Sequence, residues 1–174
     1  VREMRGNNSF EVSLKRPRDL LTTADLAADK LISESILARF PDHSILSEES
    51  SPHYPPERMA KGPLWVIDPI DGTVNYAAGQ LQVGVSIAFL LNGVAEAAAV
   101  YAPFYDELFS ARRGGGAFLG DVGIRPKQSA DLKRALIATG FPYDRSERAQ
   151  MMRRVEKVLA HSQDLRRLGA ASLD

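Results

Sequence analysis

The hydrophobic residues of this chain recur with two different periods, and these periods predict where helices and strands lie. From residue 22 to residue 40 apolar side chains are spaced three and four apart, as on one face of a helix, and Pro41 ends that pattern. Residues 146–161 have the same helical spacing. Residues 83–91 instead alternate in the period of a strand. A shorter alternation at Phe10, Val12 and Leu14 precedes the first helix.

Turn signals predict that most strands pair as hairpins. Asn92-Gly93 follows strand 83–91 at once and is typical of a two-residue hairpin turn, so we expect residues 94–101 to form the partner strand. Gly114–Gly116 lacks the Lys-Ser/Thr of a phosphate-binding loop and is interpreted as a second hairpin turn. Shorter strands are predicted at 44–46, 64–67, 108–111, 117–119 and 136–139, with a loop at Pro52, Pro55 and Pro56. Helices flanking a run of hairpins predict an α+β fold with a mainly antiparallel sheet.

Composition narrows the functional classes. The chain has 174 residues, about one domain in length, and 22 basic residues balance 22 acidic ones. A net charge of zero argues against binding nucleic acid or an anionic membrane through bulk charge. No apolar run approaches the length of a membrane span. The absence of cysteine excludes disulfides, thiolate zinc sites and cysteine nucleophiles, and fits a reducing cytoplasm.

The segment with the clearest chemistry begins where the apolar strand at 64–67 meets two carboxylates. Asp68 and Asp71 are three residues apart, a separation that would put them on opposite faces of a continuous strand. Because Pro69 cannot donate to a sheet ladder, we expect the strand to end there and the carboxylates to converge. Gly72 permits a close backbone approach, and Thr73 adds a hydroxyl. Two carboxylates beside a turn whose N–H groups can bind an anion predict Mg²⁺ bridging protein and phosphate.

Further acidic ligands are expected from Glu48-Glu49 and from Asp25. Each of these residues also has a simpler interpretation, because Asp71-Gly72 can be an ordinary turn and Glu48-Glu49 a solvated loop. Thr22-x-x-Asp25 matches a capping box, so Asp25 can serve only to cap the helix. Surface or structural roles are the interpretation for His43, His53 and His161, and solvated edges for Arg153-Arg154 and Arg166-Arg167.

Taken together, these motifs resemble the inositol monophosphatase family. The segment 68–76, DPIDGTVNY, looks like the family signature, and Glu48-Glu49 precedes it at the usual distance. Further segments that resemble the family are 19–25 (DLLTTAD), 107–119 (ELFSARRGGGAFL), 138–142 (ATGFP) and 166–174 (RRLGAASLD). The resemblance implies the N-terminal part of the αβαβα layered fold shared with fructose-1,6-bisphosphatase.

The resemblance also implies an activity and a set of site residues. It implies a lithium-sensitive phosphomonoesterase that uses two or three Mg²⁺ ions, a small phosphorylated substrate such as inositol 1-phosphate, and a homodimer. The metal ligands that it implies are Glu48, Asp68, the Ile70 carbonyl and Asp71. The catalytic residues are Asp25 and Thr73, which activate water, together with Glu48. The substrate-binding residues are Asp68, Ile70, Asp71, Gly72, Thr73, Gly169, Ala170 and Ala171. Two such ions clamp the attacking and leaving oxygens of an in-line displacement.

The chain departs from the family pattern at its end. The second family signature is expected some tens of residues beyond Asp174, so residues 1–174 are interpreted as a truncated N-terminal metal- and phosphate-binding domain. Residues 164–174 are then expected to enter a second domain that is absent. In the first signature, Tyr76 replaces the usual Phe.

Other functions remain open from the sequence. The substrate can instead be fructose 1,6-bisphosphate, 3′-phosphoadenosine 5′-phosphate or histidinol phosphate. A haloacid-dehalogenase mechanism needs two aspartates two residues apart, whereas Asp68 and Asp71 are three apart, and no aspartyl-phosphate is expected. A different class of function is that of an interaction protein in a transcription complex, since some bacterial relatives have that role.

Overall fold

The computed structural model describes residues 1–16, 19–50, 61–127, 131–141 and 145–174. The predicted loop at Pro52, Pro55 and Pro56 lies outside these residues, as do His53 and Pro142. The helices in the described residues are α1 (Arg2–Gly6), α2 (Thr23–Arg39), α3 (Thr73–Ala77) and α4 (Arg148–Leu159). The strands there are β1 (Val12–Arg16), β2 (Asp19–Thr22), β3 (Ser44–Ser47), β4 (Pro63–Asp71), β5 (Gly84–Leu91), β6 (Val94–Ala102), β7 (Glu107–Arg112), β8 (Gly116–Leu119), β9 (Val122–Ile124), β10 (Leu136–Ala138) and β11 (Asp164–Arg166). In the described part of the chain no helix is long and apolar enough to cross a membrane.

Strands β3 to β9 form one sheet, and their order in space follows their order in the chain. Only the β3–β4 pair within this sheet is parallel, and each later strand is antiparallel to its neighbour. Strands β1 and β2 form a separate antiparallel pair, and β10 and β11 form a short parallel pair. The architecture confirms the predicted α+β class with a mainly antiparallel sheet.

The turn glycines act as predicted. Asn92 and Gly93 have φ angles of 51° and 77°, so that both central residues of the turn between β5 and β6 are left-handed, as a type I′ hairpin turn requires. Gly114 also has a positive φ, and strands β7 and β8 pair on either side of that turn. The interpretation of Gly114–Gly116 as a hairpin turn is therefore confirmed.

Two predicted apolar faces point elsewhere than the pattern indicates. In α2 the buried residues are Ala24, Asp25 and Asp29, which rotates the buried face away from Leu31, and Leu31 is 67% exposed. In β1 the apolar residues Val12 and Leu14 are 51% and 61% exposed. Charged side chains thus turn inward in both elements: Asp25 and Asp29 beside Ala24 in α2, and Lys15 in β1, whose side chain is 17% exposed.

Strand β4 corrects the expectation that Pro69 ends it. The ladder with β5 pairs Asp68 with Ser86 and then Asp71 with Gly84, so residues 68–71 oppose one residue fewer on β5. This extra residue is a β-bulge. Pro69 is tolerated inside the strand because it lies in the bulge, where its missing N–H removes no regular ladder hydrogen bond.

The core cluster that supports this bulge contains Ala24, Ile70, Tyr76 and Val83, each at most 2% exposed. Phe10 and Phe104 pack against the ring of Tyr76, with ring centroids 4.9 and 6.5 Å away. The Tyr76 hydroxyl donates to the carbonyl oxygen of Val1 at 3.0 Å. The packed core therefore lies directly beneath the end of β4.

Candidate active site

The bulge in β4 brings Asp68 and Asp71 to one cavity. Their three-residue separation would place them on opposite faces of a regular strand, but the single extra residue changes the alternation by one. Both carboxylates consequently line a cavity of about 90 Å³. The other residues that line it are Glu48, Ile70, Gly72, Thr73, Val74, Arg167 and Gly169.

Glu48 reaches the cavity because β3 and β4 run parallel. Their register pairs Ser44 with Leu64 and Ser47 with Ile67, a constant offset of twenty residues. Glu48 and Asp68 are the next residues after the last β3–β4 pair and therefore lie side by side. The Glu48 N–H donates to the Ile67 carbonyl at 3.2 Å. Glu48 lies in a turn and its side chain is half exposed, as the solvated-loop interpretation expects, but the residue also lines the cavity.

Asp25 both caps a helix and contacts the site. Its Oδ2 accepts from the N–H of Thr22 at 2.8 Å, and its own N–H donates to the Thr22 hydroxyl oxygen at 3.3 Å, so these two bonds complete the predicted capping box of α2. Its Oδ1 lies 3.1 Å from the Thr73 hydroxyl, which can also donate to the Ile70 carbonyl at 3.1 Å. Asp25 has no exposed surface, and burial raises the pKa of its carboxyl despite the hydrogen bonds from Thr22 and Thr73.

The last residues of the chain close one side of the cavity. The backbone N–H of Ser172 donates to Asp71 Oδ2 at 2.6 Å and fixes that carboxylate. The Asn75 amide donates to the carbonyls of Gln82 and Leu168, each at 2.8 Å, and so ties this segment to α3.

Three predicted substrate-binding residues in this segment have different surroundings. Gly169 lines the cavity. Ala170 is fully buried, and its Cβ would be 3.2 Å from a Cβ placed on Gly72. Ala171 is exposed and does not line the cavity. Of the three, only Gly169 therefore faces the space between the carboxylates.

The electrostatics of the cavity favour a cation. Burial, together with the negative charges of Glu48, Asp71, Asp25 and Glu49, raises the pKa of Asp68 to about 7. Asp68 Oδ1 is buried and has no hydrogen-bond partner in the described residues. An ionised carboxylate with a buried, unpartnered oxygen among like charges is unfavourable unless a proton or a cation neutralises it. Carboxylates and a carbonyl are the hard oxygen ligands that suit Mg²⁺, so the donor set fits this ion.

The carboxylates are not gathered into a ready-made coordination sphere. Among the described residues, no three acidic or histidine side chains lie close enough together to hold a metal ion. Two of the carboxylates are engaged elsewhere, since Asp71 accepts from Ser172 and Glu48 pairs with Lys15.

Sequence reasoning missed two basic residues of this site. Lys15 contacts Glu48 and Glu49, and its position on the polar side of the alternation in β1 was the available signal. Burial opposes its charge, but hydrogen bonds to Glu49 and Glu48 outweigh that effect and raise the pKa of Lys15. Arg167, interpreted as a solvated residue, is exposed and also lines the cavity.

Comparisons with known proteins agree with this geometry. The family model described as the inositol monophosphatase family matches residues 1–174. Nus factor SuhB of Salmonella typhimurium is 37% identical over 168 residues, which are 96% of this chain and 62% of that protein. The chain thus spans less than two thirds of the length of this curated relative.

Two crystal structures show the same fold. The extragenic suppressor protein SuhB of Bartonella henselae matches with a TM-score of 0.88 and 33% identity, covering 99% of this chain and 66% of that one. The Staphylococcus aureus inositol monophosphatase II with bound inositol monophosphate matches with a TM-score of 0.73 and 29% identity, covering 86% of this chain and 56% of that one. These matches confirm the predicted family resemblance and layered fold.

Proposed function

This chain belongs to the inositol monophosphatase family, and we propose that its full-length gene product is a Mg²⁺-dependent phosphomonoesterase acting on a small phosphate monoester such as inositol 1-phosphate. The observation that carries the proposal is the cavity lined by Glu48, Asp68 and Asp71, where Asp68 Oδ1 is buried without a hydrogen-bond partner in the described residues. The bound inositol monophosphate of the S. aureus family member supports this substrate.

Four oxygen donors of this chain would hold the metal: the carboxylates of Glu48, Asp68 and Asp71 and the carbonyl of Ile70. When bound, Mg²⁺ supplies positive charge that activates water and stabilises the phosphate oxygens in the transition state. Two or three ions are proposed. Gly72 and Thr73 line the same cavity and are proposed to contact the phosphate, with Gly169 beside the alcohol portion. Ala170 and Ala171 stay in the proposed substrate set, also beside the alcohol portion.

Asp25 and Thr73 are proposed to orient the attacking water. If the Thr73 hydroxyl donates its hydrogen to Asp25 Oδ1, 3.1 Å away, its oxygen lone pairs are free to accept a hydrogen bond from water in the cavity. Asp25 itself does not line the cavity, so it acts through Thr73. A water held in this way is oriented for in-line attack on phosphorus.

Phosphate release by the full-length gene product tests this proposal. We expect release from inositol 1-phosphate that needs Mg²⁺ and is inhibited by lithium. Fructose 1,6-bisphosphate, 3′-phosphoadenosine 5′-phosphate and histidinol phosphate, assayed in parallel, rank the substrates. Absence of release from all four, in a folded and Mg²⁺-saturated protein, would contradict the proposal.

Thr73→Ala tests the role of the hydroxyl. Loss of a group that orients or deprotonates water lowers kcat by about 10²-fold, with little change in KM. Thr73→Ser keeps the hydroxyl and is the matched control, for which we expect kcat within about threefold of the parent. A rise in KM alone would identify Thr73 as a binding residue instead.

A second candidate function is a role in a transcription complex. The observation that favours it is the name Nus factor SuhB of the S. typhimurium relative. Because the chain has no net charge, we propose a protein contact rather than direct binding to nucleic acid through bulk charge. A pull-down with RNA polymerase, repeated with Asp68→Asn, separates the roles. Retained binding without hydrolysis would show that the contact does not need catalysis, and no binding by either protein would exclude this function.

Further proposals concern the whole protein. We propose that residues 1–174 form the N-terminal domain, that residues 164–174 lead into a second domain, and that the protein is a cytoplasmic homodimer. The S. typhimurium relative, of which the match covers 62%, supports a further part of the protein beyond this domain. Sedimentation of the full-length gene product at micromolar concentration tests the dimer, and a monomer alone would contradict it.

A further inference from the structure

Lys15 is a cation already present in the acidic site. It lies on β1, where Val12 and Leu14 face solvent, whereas the side chain of Lys15 is only 17% exposed. Its ammonium group also contributes to the electrostatics of Asp25, whose negative charge it favours. A buried ammonium group is costly unless it is paired, so its partners account for its position.

The two partners of Lys15 differ in burial. Its Nζ lies 2.6 Å from Glu49 Oε1 and 3.1 Å from Glu48 Oε1. The side chain of Glu49 is 3% exposed and has Lys15 as its ion-pair partner, whereas that of Glu48 is 50% exposed and borders the cavity. The contact with Glu49 is therefore the short, buried one, and the contact with Glu48 is longer and open to solvent.

We propose that Lys15 acts as a positioning residue that holds Glu48 while the metal site is empty and yields it to a divalent cation, remaining bound to Glu49. This inference rests on the proposed function, because it assigns Glu48 to the metal. The Glu48 carboxylate cannot interact fully with both the Lys15 ammonium group and the metal ion. These two cations also repel each other when they are a few ångströms apart. Lys15 thus neutralises the acidic cluster of the metal-free protein at the expense of metal affinity.

This role has a signature opposite to that of a residue that helps to bind the metal. Removing Lys15 removes a competitor for Glu48 and a positive charge near the cavity, so the divalent cation binds more tightly. The same change leaves Glu49 buried and unpaired, so the metal-free protein becomes less stable. A residue that merely orients Glu48 for the metal would, when removed, weaken metal binding.

The test is calorimetric titration of the chelator-treated full-length gene product with Mg²⁺, together with its melting temperature without metal. For Lys15→Met we expect the Mg²⁺ dissociation constant to fall by about threefold or more and the metal-free melting temperature to drop. Lys15→Arg keeps the charge and should stay near the parent in both measurements. Lys30→Met, which removes a lysine from an exposed pair with Glu34 on α2, controls for net charge and should leave the dissociation constant unchanged.

An unchanged or higher Mg²⁺ dissociation constant in Lys15→Met overturns the inference, as does an equal fall in Lys30→Met. If Lys15→Met does not fold without metal, Lys15→Gln, which can still hydrogen-bond Glu49, is titrated in its place with the same expectation. Failure of the proposed function gives a different result. In that case the parent protein either does not bind Mg²⁺ or binds it as well as Asp68→Asn does.

Discussion

The β5–β9 hairpins and the cavity at the end of β4 belong to one sheet, but different interactions stabilise them. Each hairpin pairs neighbouring strands across a short turn, and most side chains of β7 to β9 are at least partly exposed. The cavity instead gathers residues from distant parts of the chain. Ser172 donates to Asp71 across 101 positions, and Asn75 donates to Leu168 across 93.

The two regions also differ in what they bury. The hairpins bury little charge, and their ion pair between Arg113 and Glu96 is largely solvated. The cavity concentrates carboxylates, and one of them keeps a buried oxygen without a partner. Structural order in the hairpins thus follows from local turns, whereas the cavity holds unfavourable charge in place through contacts distant in sequence. Stored electrostatic strain of this kind is typical of functional sites.

The largest expected effect is on activity in Asp68→Asn. Loss of a metal ligand removes several kcal/mol of transition-state stabilisation, so we expect kcat to fall by about 10³-fold or more in the phosphate-release assay. Turnover like that of the parent would contradict the assignment of Asp68 to the metal.

The same substitution has an opposite effect on the metal-free fold. The pKa of Asp68 is about 7 in the folded protein against an ordinary value of 3.8, so between these values the folded state binds the proton that the unfolded state has released. The free energy of unfolding therefore falls as pH rises from about 4 to about 7. Asp68→Asn abolishes this contribution, and we expect its metal-free melting temperature to exceed that of the parent at pH 8. An identical pH dependence of the metal-free melting temperature in both proteins would show that Asp68 is not the titrating group.

A pair of glycine substitutions compares the regions directly. Gly72 and Gly114 both have positive φ angles, of 90° and 69°, so alanine is strained at either position by about 1–2 kcal/mol. A Cβ on Gly72 would also lie 2.9 Å from the Gln82 carbonyl, whereas a Cβ on Gly114 meets nothing within 4 Å. We expect chemical denaturation to show a clearly larger loss for Gly72→Ala, which also impairs activity. Equal losses would mean that packing around Gly72 adjusts freely.

The smallest effect is expected for Glu96→Gln in the hairpins. Glu96 pairs with Arg113 at 3.2 Å, but the arginine side chain is 54% exposed and the pair is screened by solvent. Its loss should change the free energy of unfolding by at most about 0.5 kcal/mol and leave phosphate release unaltered. A loss comparable to that of Gly72→Ala would show that the hairpins are more strongly coupled to the cavity than their exposure indicates.

Much of the candidate site could be predicted because four of its residues lie next to one another in the chain. Asp68, Asp71, Gly72 and Thr73 form one short motif, and all four line the cavity. Glu48 could be added because a parallel register keeps a constant offset of twenty residues. The role of Lys15 could not be predicted, because it depends on which face of the β1–β2 pair turns inward. The alternation favoured the apolar face of Val12 and Leu14, whereas in the structure those residues are exposed and the Lys15 side chain is mostly buried.

The sequence by itself determined the two long helices, the hairpins from β5 to β8 and the identity of the acidic motif. These features depend on side-chain period and on turn residues such as Asn92-Gly93, whose effects act over a few neighbouring positions. Only the tertiary structure decided that β4 continues past Pro69 and that a bulge turns both aspartates to one side. It also decided that Asp25 caps α2 and contacts Thr73 at once, and that Lys15 faces Glu48 and Glu49. The physical reason is that strand register, helix rotation and burial of charge are settled by the packing of the whole fold, which no local pattern encodes.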